Sequence, residues 1–335
     1  GNEVFLRIMS AQATILPSGH EFFIEGSDSI LDAGLRGGLA LNYGCSNGNC
    51  GLCKMRLVSG ETRKTKPHDF TLTETEKGLG YLLSCCHTAV TDVVLEADEA
   101  SGTSDIPMQT ISLRVKKTEH QDSSTVIVNT KTPRTSRLRF LAGQKVTLSI
   151  DNIGSKTCFI ASCPCDDMNI QFHIDPGGND AISRYFSTNA KPNDSVTLTG
   201  PTGTFTLNED SPNSLVFIAQ GNGFAPIKAL IEHAMALDCA EEIYLYWISD
   251  IEPNHYLNNL CRSWQDALDN FHYLRLNREN SGDEIKAINE TLVSTHESFR
   301  QLDFYICAEK GLADGIASIL SDHAVAQNQI QFTTL

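Results

Sequence analysis

The stretch Cys45–Ser46–Asn47–Gly48–Asn49–Cys50–Gly51–Leu52–Cys53, with Leu83–Ser84–Cys85–Cys86 further on, decides how this chain is read. Three cysteines at C-x4-C-x2-C spacing and a distant fourth form the plant-type framework for a [2Fe–2S] cluster. Such a cluster takes four thiolates, two on each iron. Gly44, Gly48 and Gly51 allow the backbone to fold closely over it, with N–H groups aimed at the sulfurs. The competing assignment is a zinc site. Zinc ribbons usually carry paired C-x2-C knuckles or added histidines, and this segment has a single such pair inside a glycine-rich loop. Cys45, Cys50 and Cys53 are therefore read as ligands. The spacing leaves the fourth open between Cys85 and Cys86.

Composition narrows the rest. A length of 335 residues predicts two or three domains. No apolar run reaches the ~18 residues of a membrane span, and the first residues lack the apolar stretch of a signal peptide. Eleven cysteines without a secretory signal predict a reducing, cytoplasmic setting. Cys163–Pro164–Cys165 is too short for a metal pair and reads as two ordinary thiols. The net charge of −15 argues against nucleic acid and anionic membranes as partners.

Working outward, residues 1–98 read as a small α+β unit. Ala13 to Leu16 and His20 to Ile24 form a hairpin-like pair. Ser27 and Asp28 are placed to cap a helix over Ile30 to Leu35. Thr73 and Glu76 form a capping box. Residues 99–108 read as a linker. Residues 109–208 give short alternating strands, the pattern of an antiparallel barrel, with one helix around Ala181 to Phe186. In residues 209–335 strands alternate with helices, which predicts a parallel α/β sheet. There, Gly221–Asn222–Gly223 lies between a strand and a helix containing Pro226, a placement suited to a pyrophosphate at a helix N-terminus. Asp250, after the strand Ile243 to Ile248, is positioned to bond a ribose 2′-hydroxyl and to repel a 2′-phosphate, favouring NADH over NADPH.

Together these features resemble the ferredoxin–NADP reductase superfamily, and within it the reductase components of multicomponent oxygenases such as benzoate dioxygenase and toluene monooxygenase. The resemblance covers nearly the whole chain. Leu141–Ala142–Gly143–Gln144 is similar to the family's PGQ segment. Gly200–Pro201–Thr202–Gly203–Thr204–Phe205 is similar to its GPxGxF turn, and Tyr305–Ile306–Cys307–Ala308 to its YxCG element. The resemblance implies a β-grasp ferredoxin domain, a six-stranded FAD-binding β-barrel and a Rossmann-like NAD domain. It implies Cys85 as the fourth cluster ligand. It implies an electron path from NADH through FAD to the [2Fe–2S] cluster, and then to a terminal oxygenase or hydroxylase. A deoxysugar dehydrase is the alternative acceptor, and a flavin-less electron carrier the alternative function. A monomer is the family's common state.

Site residues follow from the same resemblance. Cys307 is expected to pack near the nicotinamide and orient it. The family's flavin signature Arg-x-Tyr-Ser falls on Lys156, Thr157, Cys158 and Phe159. Lysine keeps the charge without the planar fork, Cys158 replaces an aromatic platform, and Phe159 replaces a hydroxyl expected beside the reacting flavin nitrogen. The second flavin segment falls on His173, Ile174, Gly177, Gly178, Ile182 and Ser183, with Asp175 where a basic residue is common. Ser46 replaces a frequent arginine of the cluster loop. At the C-terminus Phe332 is retained, but the usual terminal aromatic is absent.

Overall fold

The structure is a computed structural model. It describes residues 10–121, 124–249, 255–277 and 284–335. Asp250, the residue expected to select NADH, lies outside them.

The first domain contains β1 (Ser10–Leu16), β2 (His20–Glu25), α1 (Ile30–Arg36), β3 (Lys54–Ser59), β4 (Thr62–Lys64), α2 (Glu74–Gly78), β5 (Tyr81–Leu83), β6 (His87–Ala89) and β7 (Val93–Glu96). Its main sheet runs β2-β1-β7-β3-β5, with β1 and β7 parallel and the other pairs antiparallel. Alternation in β1 buries Ala11, Ala13 and Ile15, and the last two pack with Phe22, Ile24, Ile30, Leu31 and Leu95. The helix cap differs from expectation. Ser29 caps α1 by accepting from the Asp32 N–H, while Asp28 pairs with Arg36 across the helix. The Thr73–Glu76 capping box has both of its hydrogen bonds.

The middle domain contains β8 (Gln109–Gln121), β9 (Thr125–Lys131), β10 (Lys145–Ile150), β11 (Gly154–Phe159), β12 (Asn169–Ile174), α3 (Ala181–Thr188) and β13 (Ser195–Thr202). All its pairings are antiparallel, in the order β11-β10-β13-β8-β9-β12. The sheet curls into a half-barrel around Leu113, Val128, Leu148, Phe172 and Leu198, with Ile182 and Phe186 of α3 plugging one end. Cys163 and Cys165, read from sequence as ordinary thiols, are joined by a disulfide. The intervening proline and the 3-10 turn at Pro164–Asp166 bring their Cα atoms to 5.1 Å, which lies within disulfide reach.

The last domain contains β14 (Ser214–Gln220), α4 (Phe224–Leu237), β15 (Ile243–Ser249), α5 (Asn258–Ala267), β16 (Phe271–Asn277), α6 (Glu284–Thr295), β17 (Leu302–Ala308), α7 (Lys310–Asp322) and β18 (Ile330–Thr334). Its sheet is fully parallel, ordered β16-β15-β14-β17-β18. β14 and β17 are buried on both faces, which explains their unbroken apolar runs. The strand order reverses at β14, so the crevice at the carboxyl ends of β14 and β17 is the topological switch point.

One cluster of contacts fixes the first domain to the second. Arg137 donates to both carboxylate oxygens of Asp167, with contacts of 2.6 to 3.0 Å, and to Asp32 Oδ1 at 2.9 Å. Tyr43 Oη donates to Asp167 and to the Leu138 carbonyl. Both guanidinium groups of Arg137 and Arg139 lie over the Tyr43 ring, at 5.5 and 5.9 Å. Burial opposes the Arg137 charge, and the bonds to Asp167 more than offset this, raising its pKa above the ordinary arginine value. The Arg137 and Asp167 side chains are only 8% and 3% exposed, so removing one partner strands a buried charge. Arg137→Leu is expected to cost about 3–5 kcal/mol, read as a lower denaturant midpoint of the full chain. A loss under about 1 kcal/mol, the range of an exposed pair, would show that the contact does not hold the domains together.

Candidate functional site

The cluster loop leaves α1 and runs along the barrel. Gly48 and Gly51 adopt positive φ of 85° and 72°. A Cβ at Gly48 would lie 2.5 Å from His68, and one at Gly51 would lie 2.5 Å from the Phe70 ring. Glycine is thus required there by both conformation and space. The resulting fold aims backbone N–H groups at sulfur. Cys45 Sγ accepts from Asn47, Asn49 and Cys50 at 3.3 to 3.5 Å, and Cys50 Sγ accepts from Cys45 and Leu52 at 3.4 Å. Burial raises the Cys45 thiol pKa, but these N–H groups outweigh it and lower the pKa below its usual value.

The four expected ligands fall into two pairs. Cys45 and Cys50 each donate a backbone N–H to the other's sulfur, and Cys53 lies beside the Cys85 turn, its carbonyl accepting from the Ser84 N–H and Oγ. Among the described residues no three such side chains converge on a single ion position. Two neighbouring pairs of cysteines, the first surrounded by N–H donors, fit a two-iron cluster. Cys86 lies beside Cys85, with its sulfur 3.5 Å from that of Cys85, and packs against the Gly48 turn. Cys85→Ser is therefore expected to lose the cluster's iron and visible absorbance, whereas Cys86→Ser retains both. The reverse result would move the fourth ligand to Cys86.

At the switch point, Gly221 takes φ 52° with open space around it, and its carbonyl accepts from Trp247 Nε1 at 3.0 Å. Gly223 leaves no room for a side chain, since a Cβ would lie 2.4 Å from the Cys307 carbonyl. The two expected elements are thus side by side, at the register Ala219 to Cys307. Asn222 Oδ1 accepts from Thr125 Oγ1 at 2.5 Å, joining this loop to the barrel. Pro226 lies in the first turn of α4, where a missing N–H costs nothing. The open N-terminal turn of a 14-residue helix, with close backbone approach, fits a dinucleotide phosphate. Cys307 is fully buried, and burial pushes its thiol up to about 12, so it is a neutral packing group rather than a thiolate.

The expected flavin residues are divided among three surroundings. Lys156 Nζ donates to Asp180 Oδ2 at 2.7 Å, and Ser183 donates to Asp180 through both N and Oγ at 2.8 Å. Gly177 and Gly178 form the turn before α3, with the Gly177 N–H on Asp175 Oδ1 at 2.8 Å. This is a phosphate-type donor set of an ammonium, a hydroxyl and backbone N–H groups. Cys158, Ile174 and Ile182 point into the barrel core, while Thr157 is exposed. Phe159 and Phe332 line a cleft of about 520 Å³ with Lys145 and Phe205, and that lining does not include Lys156 or Ser183. His173 shares hydrogen bonds with Tyr256 Oη at 2.7 Å and Gln171 Oε1 at 2.9 Å. Burial lowers its pKa well below the usual value, which keeps it neutral. Thr125, Tyr256 and Asp180 went unread in the sequence. Only Asp180 had a local signal, an aspartate at the N-cap position of a predicted helix.

Comparison with known proteins agrees with this layout. Residues 13–90 match the 2Fe-2S iron-sulfur cluster binding domain, and residues 217–318 match the oxidoreductase NAD-binding domain. A CDP-6-deoxy-L-threo-D-glycero-4-hexulose-3-dehydrase reductase of Yersinia pseudotuberculosis is 27% identical, covering 96% of this chain and 97% of its own length. A propane 2-monooxygenase reductase component of Mycolicibacterium smegmatis is 25% identical, with 94% of each chain covered. An Amycolatopsis cytochrome P450 reductase shares the fold at a TM-score of 0.60 and 21% identity, over 97% of this chain and 99% of its own. A Neisseria gonorrhoeae ferredoxin NADP+ reductase with bound FAD and NADP shares it at a TM-score of 0.58 and 16% identity, over 67% of this chain and 98% of its own. The cysteine loop, the half-barrel and the parallel sheet with its glycine turn occur here in one chain, an oxidoreductase that joins an N-terminal 2Fe-2S iron-sulfur cluster binding domain to an oxidoreductase NAD-binding domain and is similar over nearly its whole length to reductase components.

Proposed function

We propose that this chain draws electrons from NADH and delivers them singly, through its [2Fe–2S] cluster, to a partner protein. The observation that carries this reading is the presence in one chain of a four-cysteine site in a loop of N–H donors and a switch-point glycine turn, both in domains bonded to one half-barrel. When bound, NADH supplies a hydride, FAD accepts the electron pair and releases it one electron at a time, and the cluster relays single electrons.

The chain's own residues hold and orient these groups. Gly221 to Gly223 and the start of α4 receive the dinucleotide phosphates. Cys307, buried and neutral against Gly223, orients the nicotinamide through the glycine turn that it supports. Lys156, Ser183 and the Gly177–Gly178 turn form the flavin diphosphate cradle. Cys45, Cys50, Cys53 and Cys85 hold the cluster, whose loop touches the barrel where Ser46 Oγ donates to the Arg134 carbonyl at 3.2 Å. Asp250 sets the preference for NADH.

The acceptor we propose is a terminal oxygenase or hydroxylase, the partner class of the monooxygenase relatives. A second reading, a deoxysugar dehydrase, is favoured by the dehydrase reductase relative, whose similarity extends over 97% of its length. Purified acceptors of the two classes, each assayed for NADH-dependent turnover with this chain, separate them. The electron order has its own test. Cys50→Ser is expected to abolish NADH-driven reduction of cytochrome c while leaving NADH oxidation by ferricyanide within about threefold of the unsubstituted protein, because the NADH site is untouched. Loss of both activities with unchanged circular dichroism would contradict the order.

A further inference from the structure

The donors that would receive a flavin diphosphate already carry anions that belong to the chain. Asp180 Oδ2 accepts from Lys156 Nζ at 2.7 Å and from Ser183 Oγ at 2.8 Å, while Oδ1 accepts from the Ser183 N–H at 2.8 Å. Asp175 Oδ1 accepts from the Gly177 N–H at 2.8 Å. One of the three ammonium hydrogens, the hydroxyl and two backbone N–H groups are thus engaged by two carboxylates. Burial opposes the Asp180 charge, but Lys156 and Ser183 overcome it and hold its pKa far below the ordinary carboxylate range. The carboxylate is therefore ionised at any pH where the protein functions. A diphosphate brought to the same donors meets a fixed negative charge at hydrogen-bond range, and like charges so close repel strongly.

We infer that Asp180 is a built-in competitor of the flavin diphosphate, and that FAD binds only when this carboxylate leaves Lys156 and Ser183. The inference rests on the flavin reading above. It makes the flavin exchangeable rather than permanently held, and leaves these donors bonded without it. The competition concerns phosphate charge alone, so it distinguishes FAD from riboflavin, which carries no phosphate.

The test uses the full chain with its cluster intact and its flavin removed. FAD and riboflavin are titrated separately, and quenching of flavin fluorescence is followed. Asp180→Asn and Asp180→Ser both keep a good helix N-cap, which preserves α3. FAD is expected to bind either variant at least about tenfold more tightly than the unsubstituted chain, a change of about 1.4 kcal/mol, while riboflavin affinity stays unchanged. Equal or weaker FAD binding in both variants, with unchanged circular dichroism, would overturn the competition and leave the flavin reading standing. An equal gain for FAD and riboflavin would also overturn it, because the effect would not be one of phosphate charge. Failure of FAD to bind any of the three proteins would remove the flavin reading, and the competition with it.

Discussion

The buried contact between Arg137, Asp167 and Tyr43 is the constraint on which the working geometry depends. Tyr43 lies two residues before the first cluster ligand, Cys45, and its hydroxyl reaches two barrel groups, Asp167 and the Leu138 carbonyl. A charge pair buried this deeply is expensive unless its hydrogen bonds are complete. Here the guanidinium donates to two carboxylates and lies over an aromatic ring, so the pair is well satisfied. The consequence is positional. The cluster loop is held against the barrel rather than left to the linker, and a single-electron relay needs such a fixed approach.

A second constraint joins the half-barrel to the last domain. Thr125 to Asn222, Tyr256 to His173, and Lys228 Nζ to the Ala161 carbonyl at 2.9 Å tie the last domain, its glycine loop included, to the barrel. The glycine turn and Cys307 meet at the reversal of the sheet because β14 and β17 are neighbours, and Gly223 has no side chain to keep them apart. The half-barrel is thus bonded to both neighbouring domains, which also meet directly where Gly38 lies against Leu237. The proposed flavin diphosphate donors differ from the other two sites, because their cation and helix N-terminus already face the chain's own carboxylates.

Much of this was legible in the sequence wherever the signal is local. The C-x4-C-x2-C spacing, the strand-to-helix glycine turn and the Thr73–Glu76 capping box each depend on residues a few positions apart. What escaped depends on long-range partners. Tyr43 and Asp167 are separated by 124 positions, and His173 and Tyr256 by 83. Neither pair has a local pattern to reveal it. The substitution at Cys158 was visible, yet its consequence was not. A side chain short of the family's aromatic folds into the barrel core instead of forming a platform. Cys163 and Cys165 read as plain thiols because their spacing is too short for a metal pair, and only the turn between them brings the sulfurs together. Phe159 and Phe332 were assigned to the flavin by resemblance, and they share a cleft whose lining leaves out the diphosphate donors.

The central claim is that electrons from NADH reach the cluster within this one chain. The most direct measurement is an anaerobic titration with NADH of the purified protein, loaded with iron and FAD, with flavin and cluster absorbance followed separately. The account predicts that NADH bleaches both chromophores and that air restores them. A cluster that is bleached by dithionite but stays oxidised under excess NADH would contradict it.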